Sequence, residues 1–197
     1  MVNKGVMVLK LEVRQMVLVS MFAALTAAGA FIKVPIPYVP FTLQFLFVLF
    51  AGLLLGGKLA FLSQVVYLAL GLAGLPIFAA GGGPAYVLQP TFGYLIGFAV
   101  GAYLIGTVAE KMRHRGLPGY LLASLSGLVV VYTLGVLYLY LIVNFVAHKP
   151  LTVFQAVWFG AVICSPGDIF LSIVASVVGS KVYRTLGGLN PLQRGVS

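Results

Sequence analysis

Ser165-Pro166-Gly167-Asp168 interrupts an apolar run that resumes at Ile169-Phe170-Leu171, and Asp168 is one of only three acidic residues among 197. The other two, Glu12 and Glu110, sit beside basic residues at the edges of apolar segments. An ionised carboxylate costs about 2.5–3.5 kcal/mol at the centre of a membrane-inserted helix, so a carboxyl in such surroundings points to a functional site. Local grammar offers a second reading. Ser165 suits an N-cap, Pro166 suits N1, and Asp168 falls at N3, which completes a capping-box spacing at the positive end of a helix dipole. The two readings are compatible, because a capping carboxylate keeps a second oxygen for a ligand.

The chain around this stretch is 61% hydrophobic and 8% charged, with a mean hydropathy of +1.12, whereas a soluble domain carries about 25% charged residues. The fold class this predicts is an all-α, polytopic membrane protein: one membrane domain over residues 1–197, multi-pass in the plasma membrane. At about 20 residues per span the length suits six transmembrane helices joined by short loops. The net charge of +9 would fit a nucleic-acid partner, but the bases lie in short segments between apolar runs, where membrane topology accounts for them. Cys164 is the one cysteine, and His114 and His148 are far apart; no Cys/His ligand spacing supports a metal site. No nucleophile–base pair suggests catalytic residues, so an enzyme is disfavoured. A channel or ion-coupled carrier is disfavoured too, since proton-driven proteins usually show several intramembrane ionisable groups.

The spans are predicted at about 16–32, 42–56, 59–74, 92–109, 119–146 and 166–183. The first follows a basic arm and ends in Ala28-Gly29-Ala30, the pattern of a signal peptide; the equal apolarity of the rest favours a span. Its Ala23, Ala24, Ala27 and Ala28 form small-xxx-small pairs, a close-packing face for another helix or for a partner subunit. Gly93, Gly97 and Gly101 place a similar stripe on the fourth span. Gly52 to Lys58 matches a phosphate-loop pattern, but Leu59 stands where Ser or Thr would hold magnesium, and helix ends flank it; the match is false.

Four segments do not read as ordinary spans. Residues 33–41 hold three prolines and form a stiff extended loop. Residues 75–91 are uncharged, with Gly81-Gly82-Gly83 between prolines; they read as a loop folded back over the helices, or as a flexible connector. Residues 153–165, with Trp158, read as an interfacial or re-entrant piece. Ser165–Asp168 is the fourth. On the fifth span, Tyr132, Tyr138 and Tyr140 serve either as interfacial anchors or as pocket lining.

Charge then sets the sides. With six spans, Lys4, Lys10, Arg14, Lys58, Lys111, Arg113, Arg115, Lys181, Arg184 and Arg194 share one side, while Lys33 and Lys149 occupy the other. Such a bias places both termini in the cytoplasm. All four odd segments then fall on the outer side, a pattern expected of a binding site closed by apolar loops. Its offered groups are Asp168, Thr42, Gln44, Gln89, Thr91, Tyr86, Tyr94 and the aromatics Phe41, Phe78 and Phe92. They suit a small, largely apolar ligand that carries N–H donors.

Pro40-Phe41-Thr42-Leu43-Gln44, Gly71-Leu72-Ala73-Gly74-Leu75-Pro76-Ile77-Phe78 with Gly81-Gly82-Gly83-Pro84, Pro90-Thr91-Phe92-Gly93-Tyr94-Leu95-Ile96-Gly97-Phe98, and Pro166-Gly167-Asp168 together resemble the BioY family. These are the biotin-specific S components of energy-coupling-factor vitamin transporters, and the likeness runs from about 16 to 186. The resemblance implies a six-helix bundle that binds biotin from outside, with a membrane coupling subunit and a cytoplasmic ATPase pair as partners. Biotin would be the transported ligand, and no cofactor is implied. By the same resemblance, Asp168 accepts ureido N–H groups, and Thr42, Gln44, Tyr94, Tyr86 and the Gly81, Gly82 and Gly83 backbone add contacts. Phe41 and Phe78 cover the apolar ring, and the Ala23–Ala28 face meets the coupling subunit. Where family members often carry Lys one turn after the Asp, this chain has Leu171, and Lys33 or Lys149 is left to meet the ligand carboxylate. Two other readings stay open: the same scaffold for another vitamin-like ligand, and a structural membrane protein without a ligand.

Overall fold

The computed structural model describes residues 11–185; Lys4, Lys10 and Arg194 of the topology argument lie outside them. The described chain is mostly helical, as composition requires: a backbone without water must satisfy its own polar groups. Helix α1 (Val13–Phe31) opens with a capping box in which the Glu12 amide donates to Gln15 Oε1 at 3.1 Å. The proline-rich segment forms a small antiparallel ladder, β1 (Lys33–Val34) with β2 (Phe41–Thr42), in register Lys33↔Thr42 and Val34↔Phe41. Helices α2 (Gln44–Leu55) and α3 (Gly57–Leu72) follow, turned at Gly56 with φ 83°. Helix–turn–helix geometry at Gly52–Lys58 bears out the rejection of a phosphate loop.

Residues 75–91 fold into a tight turn, where Phe78 and Gly81 exchange backbone bonds of 2.8 and 3.1 Å, and then a 3₁₀ turn, Pro84–Leu88. Gly81 and Gly83 have φ of 115° and 98°, a region that costs residues with a Cβ. Helix α4 (Phe92–Met112) and α5 (Leu117–Leu141) pair along the predicted glycine stripe. A Cβ added to Gly97 would sit 3.0 Å from the Val131 backbone, and one at Gly93 would strike the Tyr138 side chain. Helix α5 runs on into a π turn, Ile142–Val146. A short α6 (Val153–Val157), a second π turn (Trp158–Val162) and α7 (Ser165–Thr185) complete the chain.

One expectation changes here. The segment 153–165 does not stand apart as an interfacial piece: it leads directly into α7, giving a helical stretch of 33 residues, Val153–Thr185. Its π turn has a visible cause, since the Tyr94 hydroxyl takes the Gly160 carbonyl at 2.7 Å, and such an insertion widens the helical ladder. Among the described residues four stretches, Val13–Phe31, Phe92–Arg115, Leu117–Val146 and Val153–Thr185, are long and apolar enough to cross a membrane; α2 and α3 are apolar but shorter, with 12 and 16 residues. At 1.5 Å per residue, α2 spans only about 18 Å of a hydrocarbon core of about 30 Å.

Buried polar side chains tie the helices together. Gln64 Nε2 on α3 donates to Thr26 Oγ1 on α1 at 3.2 Å, and Ser124 of α5 meets Ser176 of α7 at 3.0 Å. The alanine stripe of α1 divides: Ala23 is buried and Ala27 half-buried within the bundle, while Ala24 and Ala28 are exposed.

A close helix approach joins α3 to α4, where a Cβ on Gly106 would come 2.6 Å from the Gly57 Cα. Overpacking of this kind typically costs about 1–3 kcal/mol. Gly106→Ala should therefore lower thermal stability in detergent, while Val100→Ala, at a position 42% exposed, should leave it near the parent value.

Candidate functional site

The irregular segments meet. A narrow cleft of ≈ 560 Å³ of atom-free space, open mouth included, is walled by Val39, Pro40, Phe41 and Thr42 of the hairpin and by Gln44 and Phe45 of α2. Ala79, Tyr86 and Thr91 of the 75–91 segment form a second wall, with Tyr94, Leu95 and Phe98 of α4 behind them. Val131 and Tyr132 of α5, Gly160 and Cys164 of the second π-turn region, and Asp168 of α7 close the cleft. Irregular backbone inside a membrane protein persists where it is buried in protein or lines a cavity, and here the hairpin, the 75–91 segment and the second π-turn region line one.

Asp168 is 8% exposed. Its Oδ2 accepts from the Tyr132 hydroxyl at 2.6 Å, a short charge-assisted distance. No hydrogen bond from the described residues reaches Oδ1, which is therefore open to a ligand donor. The capping reading of Ser165 is not realised. Its hydroxyl donates to the Val162 carbonyl at 3.0 Å, and the Asp168 amide bonds back to the Cys164 carbonyl at 3.1 Å. The Asp168 amide is thus met by the preceding chain, and the carboxylate faces Tyr132 and the cleft.

Other polar groups of the wall are held in place. Thr42 Oγ1 donates to Gln44 Oε1 at 3.2 Å, Gln44 Nε2 donates to Tyr67 Oη at 2.6 Å, and Tyr67 donates to the Ile77 carbonyl at 3.0 Å. This relay crosses from the hairpin to the turn preceding Phe78. Tyr86 pairs with Thr91 Oγ1 at 3.0 Å; burial pushes its phenol above the ordinary value, so it stays a neutral hydroxyl. Tyr94 lies on Gly135, where any added Cβ would strike its ring. Phe41 lies against Gly167, with ring carbons 2.6 Å from where a Cβ would be. Both aromatic positions thus depend on a missing side chain opposite.

Of the predicted residues, Asp168, Gln44, Thr42, Tyr94, Phe41, Tyr86 and Thr91 line the cleft. Phe78 does not. It is 2% exposed, 4.6 Å from the Tyr86 ring and 5.3 Å from the Tyr67 ring, and it fills the space left by Gly71. Gly81, Gly82 and Gly83 are also outside the lining; their turn sets the positions of Ala79 and Tyr86. Gln89 is exposed, and Phe92 packs edge-on to Tyr138 at 5.9 Å. Leu171 is buried outside the lining. Lys149 is exposed on the loop before α6 and does not line the cleft. Lys33 does not line it either, but its ammonium donates to the carbonyl of Ala79 at 2.6 Å, at the rim. Tyr132 was legible only as one of several tyrosines on α5; its pairing with Asp168 and the parts played by Gly160 and Cys164 carried no sequence signal.

Comparison with known proteins follows the same outline. The BioY family matches residues 3–188. A protein described as a probable biotin transporter BioY, from Lysinibacillus sphaericus, is 44% identical over 169 residues, covering 86% of each chain. The biotin transporter BioY of Thermotoga maritima is 37% identical over 177 residues, covering 87% of this chain and 96% of its own. Among solved structures, the S-component for biotin from an ECF-type ABC transporter is similar with a TM-score of 0.75 at 26% identity, over 87% of this chain and 92% of that one.

Removing the Tyr94 hydroxyl would leave the Gly160 carbonyl without its partner. Tyr94→Phe is expected to cost about 0.5–1.5 kcal/mol of stability. Tyr103→Phe, at a residue 48% exposed, should be neutral in the same thermal unfolding assay.

Proposed function

The chain belongs to the BioY family, and from that premise we propose that it captures biotin from outside the cell for an energy-coupling-factor transporter. It is a transport protein and not an enzyme. The observation that carries the ligand assignment is Asp168: a carboxylate in an apolar cleft, one oxygen held by Tyr132 and the other open. Biotin offers a ureido ring with two N–H donors, an apolar thiophane ring and a valerate carboxylate. The ureido N–H meets Asp168, and the thiophane lies against Phe41, Phe45 and Phe98. Thr42, Gln44, Tyr86 and Tyr94, already fixed by bonds within the protein, supply the remaining polar contacts. A small number of placed polar groups in an apolar cleft is the usual design of such sites.

The membrane arrangement in this reading is six spans in the plasma membrane with cytoplasmic termini. It is supported by the charge asymmetry, which gathers ten of the twelve Lys and Arg on one side. The short α2 and α3 fit it because the hairpin and the 75–91 turn fill the outer depth they leave. The exposed Ala24 and Ala28 support a contact between α1 and a membrane coupling subunit, which itself works with a cytoplasmic ATPase pair. Leu171, in place of a frequent lysine, favours as second reading a related vitamin-like ligand with the same N–H donors.

Calorimetric titration of the detergent-purified protein with biotin tests the proposal. Binding heat and thermal stabilisation are expected; their absence with biotin would contradict the ligand assignment. Asp168→Asn should weaken binding roughly 10- to 150-fold, the worth of a hydrogen bond to a charged group. It should leave the thermal transition of the ligand-free protein close to the parent, whereas a parallel loss of both would make Asp168 a structural residue.

A further inference from the structure

We propose that Lys33 is the residue that recognises the ligand's carboxylate, moving from the Ala79 carbonyl to the acid group when the cleft fills. The proposal rests on the reading of the cleft as a biotin site and names a contact that reading lacks. Among the described residues the cleft lining contains Asp168 but no Lys or Arg. A ligand that carries a second carboxylate to the mouth of this cleft brings a like charge toward Asp168, which a cation at the rim offsets. Leu171 cannot provide it, and Lys149 is not at the cleft.

Lys33 is placed to do so. It pairs with Thr42 across the β1–β2 ladder, and Thr42 lines the cleft. Its ammonium sits 2.6 Å from the carbonyl of Ala79, a lining residue on the opposite loop. The bond therefore ties the hairpin to the 75–91 turn across the mouth. Ladder register and the adjacent prolines fix the backbone, so only the flexible lysine stem has to move. A neutral carbonyl is the weaker acceptor, and a carboxylate at the rim would draw the ammonium from it. Lys33 is exposed, so its transfer brings little desolvation. Ligand entry would replace a loop–loop tie with one that runs through the ligand, giving both orientation and retention. The preference for a free acid would then be set at the rim, apart from ring recognition at Asp168.

Titration of the full-length protein with biotin and with biotin amide, which keeps the rings but lacks the charge, tests the proposal. The parent protein should bind biotin about fivefold more tightly than the amide, the upper end for an exposed ion pair. Lys33→Gln keeps a donor for Ala79 but no charge. It should reduce biotin affinity to the level of the amide and leave amide affinity unchanged. Equal weakening of both ligands in Lys33→Gln would overturn the proposal and make Lys33 a structural tie. Equal binding of acid and amide by the parent would overturn it as well. A parent protein that binds neither ligand would remove the biotin reading itself, and this inference with it.

Discussion

A carboxylate inside an apolar helix bundle has to be met by hydrogen-bond donors, and this protein provides only part of what Asp168 requires. Tyr132 of α5 satisfies one oxygen across to α7 at 2.6 Å. A second protein donor would have made the pair self-sufficient and the residue merely structural. The remaining oxygen keeps its capacity to accept from a further N–H or O–H donor. The helix start assists, because the Asp168 amide is already met by the Cys164 carbonyl. The side chain is thereby released from capping.

The rest of the architecture holds this arrangement in shape. Three irregular segments enter the bundle, and each is anchored by a specific bond. The hairpin is joined to α3 through Thr42, Gln44 and Tyr67. The 75–91 turn is fixed by the Phe78–Gly81 exchange, by the Gly83 amide on the Gly71 carbonyl at 2.7 Å, and by Tyr138, whose hydroxyl donates to the Val87 carbonyl. The second π turn is held by Tyr94 on Gly160. Glycines at positions 71, 135 and 167 make the cavities into which Phe78, Tyr94 and Phe41 settle. Bonds and close packing of this kind hold the walls of the cleft in place.

Much of this was legible in the sequence because it rests on scarcity and on local chemistry. A single acid between apolar neighbours, three prolines in nine residues and three consecutive glycines each break a rule that apolar helices obey. Loop charges then placed the exceptions on one side, and the cleft is lined from all of them. The α4–α5 glycine stripe was readable for the same reason, since its period is that of a helix face. What escaped depends on rotation and long-range contact. Whether Phe78 faced the cleft or the core turned on Gly71, seven residues away, accepting its ring. Ser165 failed as a cap because the preceding segment is helical and its hydroxyl donates to the Val162 carbonyl, while Tyr94, far along the chain, holds the Gly160 carbonyl. Tyr132 could not be told from Tyr138 and Tyr140, although Tyr132 meets Asp168 and Tyr138 serves the 75–91 turn.

Determination of the structure with biotin bound tests the central claim most directly. The account predicts a ureido nitrogen at about 2.9 Å from Asp168 Oδ1, with Tyr132 still on Oδ2 and the thiophane against Phe41. A ligand bound elsewhere, or a ureido ring turned away from a carboxylate that touches only Tyr132, would contradict it.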